Sequence, residues 1–259
     1  MSLPPELTDH IIAFLHDDRE TLKACSLVCK NWLPSSRYSL FGHLVLHDWT
    51  LQSFIKLLNS PVCTIPNRVH TLHIAWSDTG FFDTIAPYLD RFTVRSLRLV
   101  GDRWDPVRRE LEGDVLMWFS RIRELDLGLA FSSPDHYFGL IASFPSLETL
   151  FLHFPCLTFR LDDFQHIHSF IFPPHLHTLV IGLAFWRPLL SWLVSIAQFP
   201  AISIVKLYCI SDAELRGVQT LLQTLGPSIH SLDLDFWFSG TIDVFIWLLI
   251  CESMLKINL

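Results

Sequence analysis

The stretches "VRSLRL" (Val94–Leu99) and "IRELDL" (Ile122–Leu127) share one six-residue pattern: apolar-x-x-apolar-x-apolar. The same pattern occurs earlier as "FGHLVL" from Phe41 and "VHTLHI" from Val69. It continues as "LETLFL" from Leu147, "LHTLVI" from Leu176, "ISIVKL" from Ile202, "IHSLDL" from Ile229 and "MLKINL" from Met254. Successive starts lie 28, 25, 28, 25, 29, 26, 27 and 25 residues apart. One such hexamer carries little information, but nine at nearly constant spacing make a repeat. The alternation of the last apolar positions predicts a short strand whose every second side chain faces a core. Between copies lie amphipathic stretches such as "LQSFIKLL", "FFDTIAPYLDRF", "HYFGLIASF", "LLSWLVSIAQF" and "AELRGVQTLLQTL", which predict helices.

A strand plus a helix at this period resembles the leucine-rich repeat, over roughly Phe41 to Leu259. The resemblance implies an α/β solenoid: parallel strands on a concave face, helices outside, and one core shared by stacked units. The Asn or Cys that usually follows the strand in that family is mostly missing, so the repeats are irregular. An ordinary βαβ sheet is the second architecture, and the tight spacing disfavours it. In a repeat stack, the residue between the last two apolar positions lines the concave face. Those residues are Val45, His73, Arg98, Asp126, Phe151, Val180, Lys206, Asp233 and Asn258, with Ala75, His153, Tyr208 and Asp235 extending the row. The row mixes both charges with aromatic groups, which suits a folded protein or peptide. His73, Arg98, Asp126, Phe151, Lys206, Tyr208 and Asp233 are therefore the target-binding candidates. "MLKINL" would leave a parallel edge open at the end of the stack, an edge that needs covering.

Residues 1–41 stand outside the repeat and form a separate helical module ahead of residues 42–259. Pro4-Pro5 suits a helix start, and Leu7, Ile11, Ile12, Phe14 and Leu15 follow at helical spacing. Asp17 and Asp18 are placed to break that helix and cap the next. In the second segment Leu22, Cys25, Cys29 and Trp32 fall on one helical face, and Leu33-Pro34 is expected to end it. Leu27, Val28 and Trp32 are expected to hold this head together. A hairpin of this length is too short for a core of its own.

The head closely resembles the F-box. It supplies Leu3-Pro4-Pro5-Glu6-Leu7, then Ile11, Leu15 and Leu22, then Val28-Cys29-Lys30-Asn31-Trp32, and finally Leu40-Phe41, in the family's order and spacing. The resemblance implies docking onto a Skp-type adaptor and, through it, a cullin and a ubiquitin-conjugating enzyme. It also implies that Leu3, Pro4, Leu7, Ile11, Leu15 and Val28 lie at or beneath the adaptor interface. The other reading of these helices is a cap on the repeat stack.

The bulk numbers narrow the remaining classes. Half of the 259 residues are apolar, 17% are charged, and the mean hydropathy is +0.36. The most apolar runs, Val244–Cys251 and Pro188–Phe199, fall short of the ~20 residues that span a bilayer. No membrane partner is expected, and no secretory signal is visible at the N-terminus. Six scattered cysteines do not read as a disulfide framework, so cytoplasm or nucleus is the expected compartment. A formal net charge of −7 argues against nucleic acid. Cys25 and Cys29 lack two further ligands at finger-like spacing, and "HIHSFIFPPHLH" (His166, His168, His175, His177) reads as strand-edge histidines rather than a metal site. Asp233 and Asp235 share a strand face without a nucleophile. Hydrolase, P-loop and dinucleotide motifs are absent. The expectation is a binding protein with no catalytic residues, metal or cofactor.

Overall fold

The computed structural model describes residues 4–61, 63, 65, 68–76, 80–101, 119–129, 131, 133–153, 171–182, 201–210 and 215–236. Within them the chain is α/β. Eight strands form one parallel sheet: β1 (His43–His47), β2 (Thr71–Trp76), β3 (Ser96–Gly101), β4 (Glu124–Leu129), β5 (Thr149–His153), β6 (Thr178–Gly182), β7 (Ile204–Ile210) and β8 (Ser231–Phe236). The described helices are α1 (Pro5–Ala13), α2 (Arg19–Val28), α3 (Leu33–Gly42), α4 (Asp48–Leu58), α5 (Phe81–Leu89), α6 (Pro134–Ala142) and α7 (Leu215–Leu225). Strand order in the sheet equals sequence order. The order lacks the reversal that marks a doubly wound sheet. Every strand begins at the third residue of its hexamer. The ninth hexamer, "LLSWLVSIAQF" and "VFIWLLIC" lie outside the described residues. Among the described residues no helix is long and apolar enough to cross a membrane.

By internal packing the chain falls into two compact units, residues 1–98 and 99–259. In the first, Leu44 pairs in register with Leu72 and Leu46 with Ile74, all four buried. α4 lies against β1, and its Leu51, Phe54 and Leu58 are buried. Leu97 on β3 is fully buried, so its neighbours Ser96 and Arg98 belong to the other face.

In the second unit the repeat becomes two apolar ladders. Leu125, Leu150, Leu179, Val205 and Leu232 stand in register across β4 to β8, as do Leu127, Leu152, Ile181, Leu207 and Leu234. The first residue of four of these hexamers is buried as well, Ile122, Leu147, Leu176 and Ile202, while Ile229 of the fifth is half-buried. From the Leu147 hexamer onward, each is joined to the one before it by a shared acceptor. The carbonyl of Glu148 accepts from the N–H groups of His177 and Thr178 at 3.0 and 3.1 Å. The carbonyl of His177 does the same for Ser203 and Ile204, and that of Ser203 for His230 and Ser231. These bonds satisfy backbone groups that the strand ladder alone leaves open.

Two sequence expectations about the head are corrected. Leu33-Pro34 does not end a helix but opens α3, with proline in the first turn, where its missing N–H costs nothing. The head thus has three helices rather than a two-helix hairpin. α2 stops at Val28, and Cys29 is extended and exposed. Leu22 and Cys25 are buried, but Cys29 has left their helical face. The expected helix start and the expected cap are both present. α1 starts at Pro5, and Asp18 caps α2, accepting from the Thr21 N–H at 3.0 Å and its hydroxyl at 2.6 Å.

Candidate functional site

The head's own core is small: Ile12, Leu22 and Leu40, with Leu15, Trp32 and Phe41 partly buried against it. With so few inward positions, the remaining apolar residues of α1 and α2 face water. Leu7, Ile11 and Phe14 on or just after α1 are 51%, 41% and 75% exposed, and Leu27 and Val28 at the end of α2 are 85% and 62% exposed. Leu7, Ile11 and Phe14 are spaced i, i+4, i+7 and so lie along one side of the helix.

Of the adaptor-binding candidates, Leu7, Ile11 and Val28 are thus exposed, and so is Pro4, the N-cap of α1. Leu15 belongs to the edge of the head core. Leu3 lies outside the described residues. Contrary to the sequence expectation, Leu27 and Val28 do not hold the head together; of that trio only Trp32 packs inward, while Leu27 lies on the side of α2 away from Leu22 and Cys25, and Val28, the last residue of α2, is exposed as well. Phe14 was missed as a surface residue. It stands edge-on to His10 at 4.8 Å between ring centres, one turn from Ile11.

The other side of α1 borders a cleft of about 990 Å³ shared with α3. Its wall carries charged Asp9, Asp17, Arg19 and Arg68 at the side of a mostly apolar lining that includes Ile12, Pro34 and Leu40. The Ser35 hydroxyl donates to Asp9, Arg68 Nη1 donates to the Pro34 carbonyl at 2.8 Å, and His70 Nε2 lies 2.9 Å from the Tyr38 hydroxyl. These contacts anchor α3 to the neighbouring helix and to the segment entering β2.

The target-binding candidates follow the strand register within each unit. In the first, His73 is paired opposite Val45, and Arg98 is exposed. His43 and His47 share the face of Val45 on β1. The row expected from the sequence holds Val45 but neither His43 nor His47, although the alternation in "HLVLH" contains them. Partial burial, followed by the positive charges of Arg19 and Arg98, holds the His43 pKa below the usual imidazole range. Partial burial likewise lowers His73, assisted by Arg98, His47 and His43.

In the second unit Asp126, Phe151, Val180, Lys206 and Asp233 stand directly in register. That brings five of the expected positions into one row. The row is not uniformly open: Asp233 is exposed, Asp126, Phe151 and Lys206 are half-buried, and Val180 is only 3% exposed. Val180 is therefore a packed residue, flanked in register by Phe151 and Lys206. Tyr208 sits half-buried beside the row, its hydroxyl 3.5 Å from Asp233. Asp235 is exposed. Asn258 lies outside the described residues, and of His153 only the backbone is described.

The chemically tempting groups are scattered. His175 and His177 are exposed, with His177 Nδ1 2.9 Å from the Thr178 hydroxyl, while His166 and His168 lie outside the described residues. Among the described residues no three His, Cys, Asp or Glu side chains are grouped as metal ligands. Tyr137 is buried between Phe131 and Phe138, and burial, then the charge of Asp126, pushes its pKa well up. Such a phenol stays neutral at physiological pH. No family model and no curated protein matches the chain.

Proposed function

We propose that this chain is an F-box protein with irregular leucine-rich repeats, the target-binding subunit of a Skp–cullin–F-box ubiquitin ligase. The exposed apolar strip of the head docks onto a Skp-type adaptor, which joins it to a cullin in the cytoplasm or nucleus. The outward sheet face holds a target protein, whose lysines come within reach of the conjugating enzyme. The chain performs no covalent chemistry and works by proximity.

The observation that carries this reading is the division of the head into a minimal core and a large apolar exterior. Leu7, Ile11, Phe14, Leu27 and Val28 are exposed while Ile12, Leu22 and Leu40 are buried. A helix face with anchors at i, i+4 and i+7 is the usual ligand of an apolar groove. The F-box resemblance assigns Leu7, Ile11 and Val28 to this role. The repeats contribute a sheet face with mixed charged and aromatic side chains.

A second reading makes the head a cap on the first strand. It is favoured by α3 running directly into β1 and by the Arg68–Pro34 and His70–Tyr38 hydrogen bonds. The two readings diverge in one experiment. Full-length chain is co-expressed with a Skp-type adaptor and purified through a tag on either partner. Stoichiometric co-purification, abolished by Leu7→Asp with Ile11→Asp, is the expected result. A folded, monodisperse chain that leaves the adaptor in the flow-through establishes the cap reading instead.

A further inference from the structure

We draw no further inference here: the strongest candidate, the cleft between α1 and α3, selects no class of ligand, because Asp9 and Asp17 offset Arg19 and Arg68 on its wall, and nothing in the structure shows what covers it.

Discussion

Ile11 and Ile12 are adjacent and chemically identical, yet the fold assigns them opposite duties. Ile12 is 1% exposed in the small head core, and Ile11 belongs to the open strip. Ile12→Ala is expected to cost about 3 kcal/mol in urea denaturation, since it removes buried methylenes from a core with little capacity to collapse. Leu7→Asp is expected to change stability by less than about 0.5 kcal/mol, because the side chain is already solvated. A calorimetric scan of the two variants checks the contrast. Cys209 illustrates a different residue-scale constraint. Its φ of 60° is the only positive value at a non-glycine position among the described residues, where an L side chain crowds the following carbonyl. Cys209→Gly is expected to raise stability by up to ~1 kcal/mol, and Cys209→Val to lower it. The glycine gain is the smaller because glycine also adds freedom to the unfolded chain.

At the scale of elements, Cys209 coincides with an irregularity in β7. Pairing with β8 runs regularly from Ile204 to Leu207, then resumes at Ile210 opposite Phe236. A residue inserted into one strand turns the following side chains and increases local twist. Tyr208 is brought beside Asp233 at this point. β4 carries a tight approach of its own, since a Cβ on Gly128 would meet Val100 Cγ2 at 3.3 Å. Gly128→Ala is expected to destabilise by about 1 kcal/mol, as the valine has to shift. Leu150, at the middle of a buried ladder, is expected to cost about 3 kcal/mol on truncation to alanine. The helix ends show how far local rules reach. The Asp18 cap follows from its position before α2, and Pro34 shows the limit, because the same proline stops one helix or starts another.

For the whole molecule, Leu7→Asp with Ile11→Asp is expected to remove adaptor capture while leaving the melting temperature within about 2 °C of the parent chain, since both side chains are already solvated. Stability is expected to fall on acidification in two windows. Folded His43 and His73 hold their protons less tightly than the usual 6.5, so the unfolded chain gains protons first as pH drops below that value. Their contribution is intact above 6.5 and is lost as pH falls through the folded values. Asp18 is held below its usual 3.8, first by the Thr21 hydroxyl and then by the Thr21 N–H. Its contribution is intact above 3.8 and is lost as pH falls through the lowered value. Melting temperature against pH, with His73→Asn flattening the upper window, checks the sign.

The sequence by itself located the eight described strands on their hexamers, gave the alternate apolar side chains that face the core, and implied that successive hexamers lie side by side. Those features follow from alternation within six residues and a nearly fixed spacing, and both survive any rearrangement of the surface. It also placed Asp126, Phe151, Lys206 and Asp233 in one row, because equal positions in equal repeats fall in register. Only the tertiary structure decided that Val180 in that row is buried, that Ile11 rather than Ile12 faces water, and that Leu27 and Val28 lie outside the head core. Only it brought His73 beside His47 and diagonal to His43. Burial and pairing are set by neighbours some 25 to 30 residues away along the chain, and a local pattern carries no record of how those neighbours fill space.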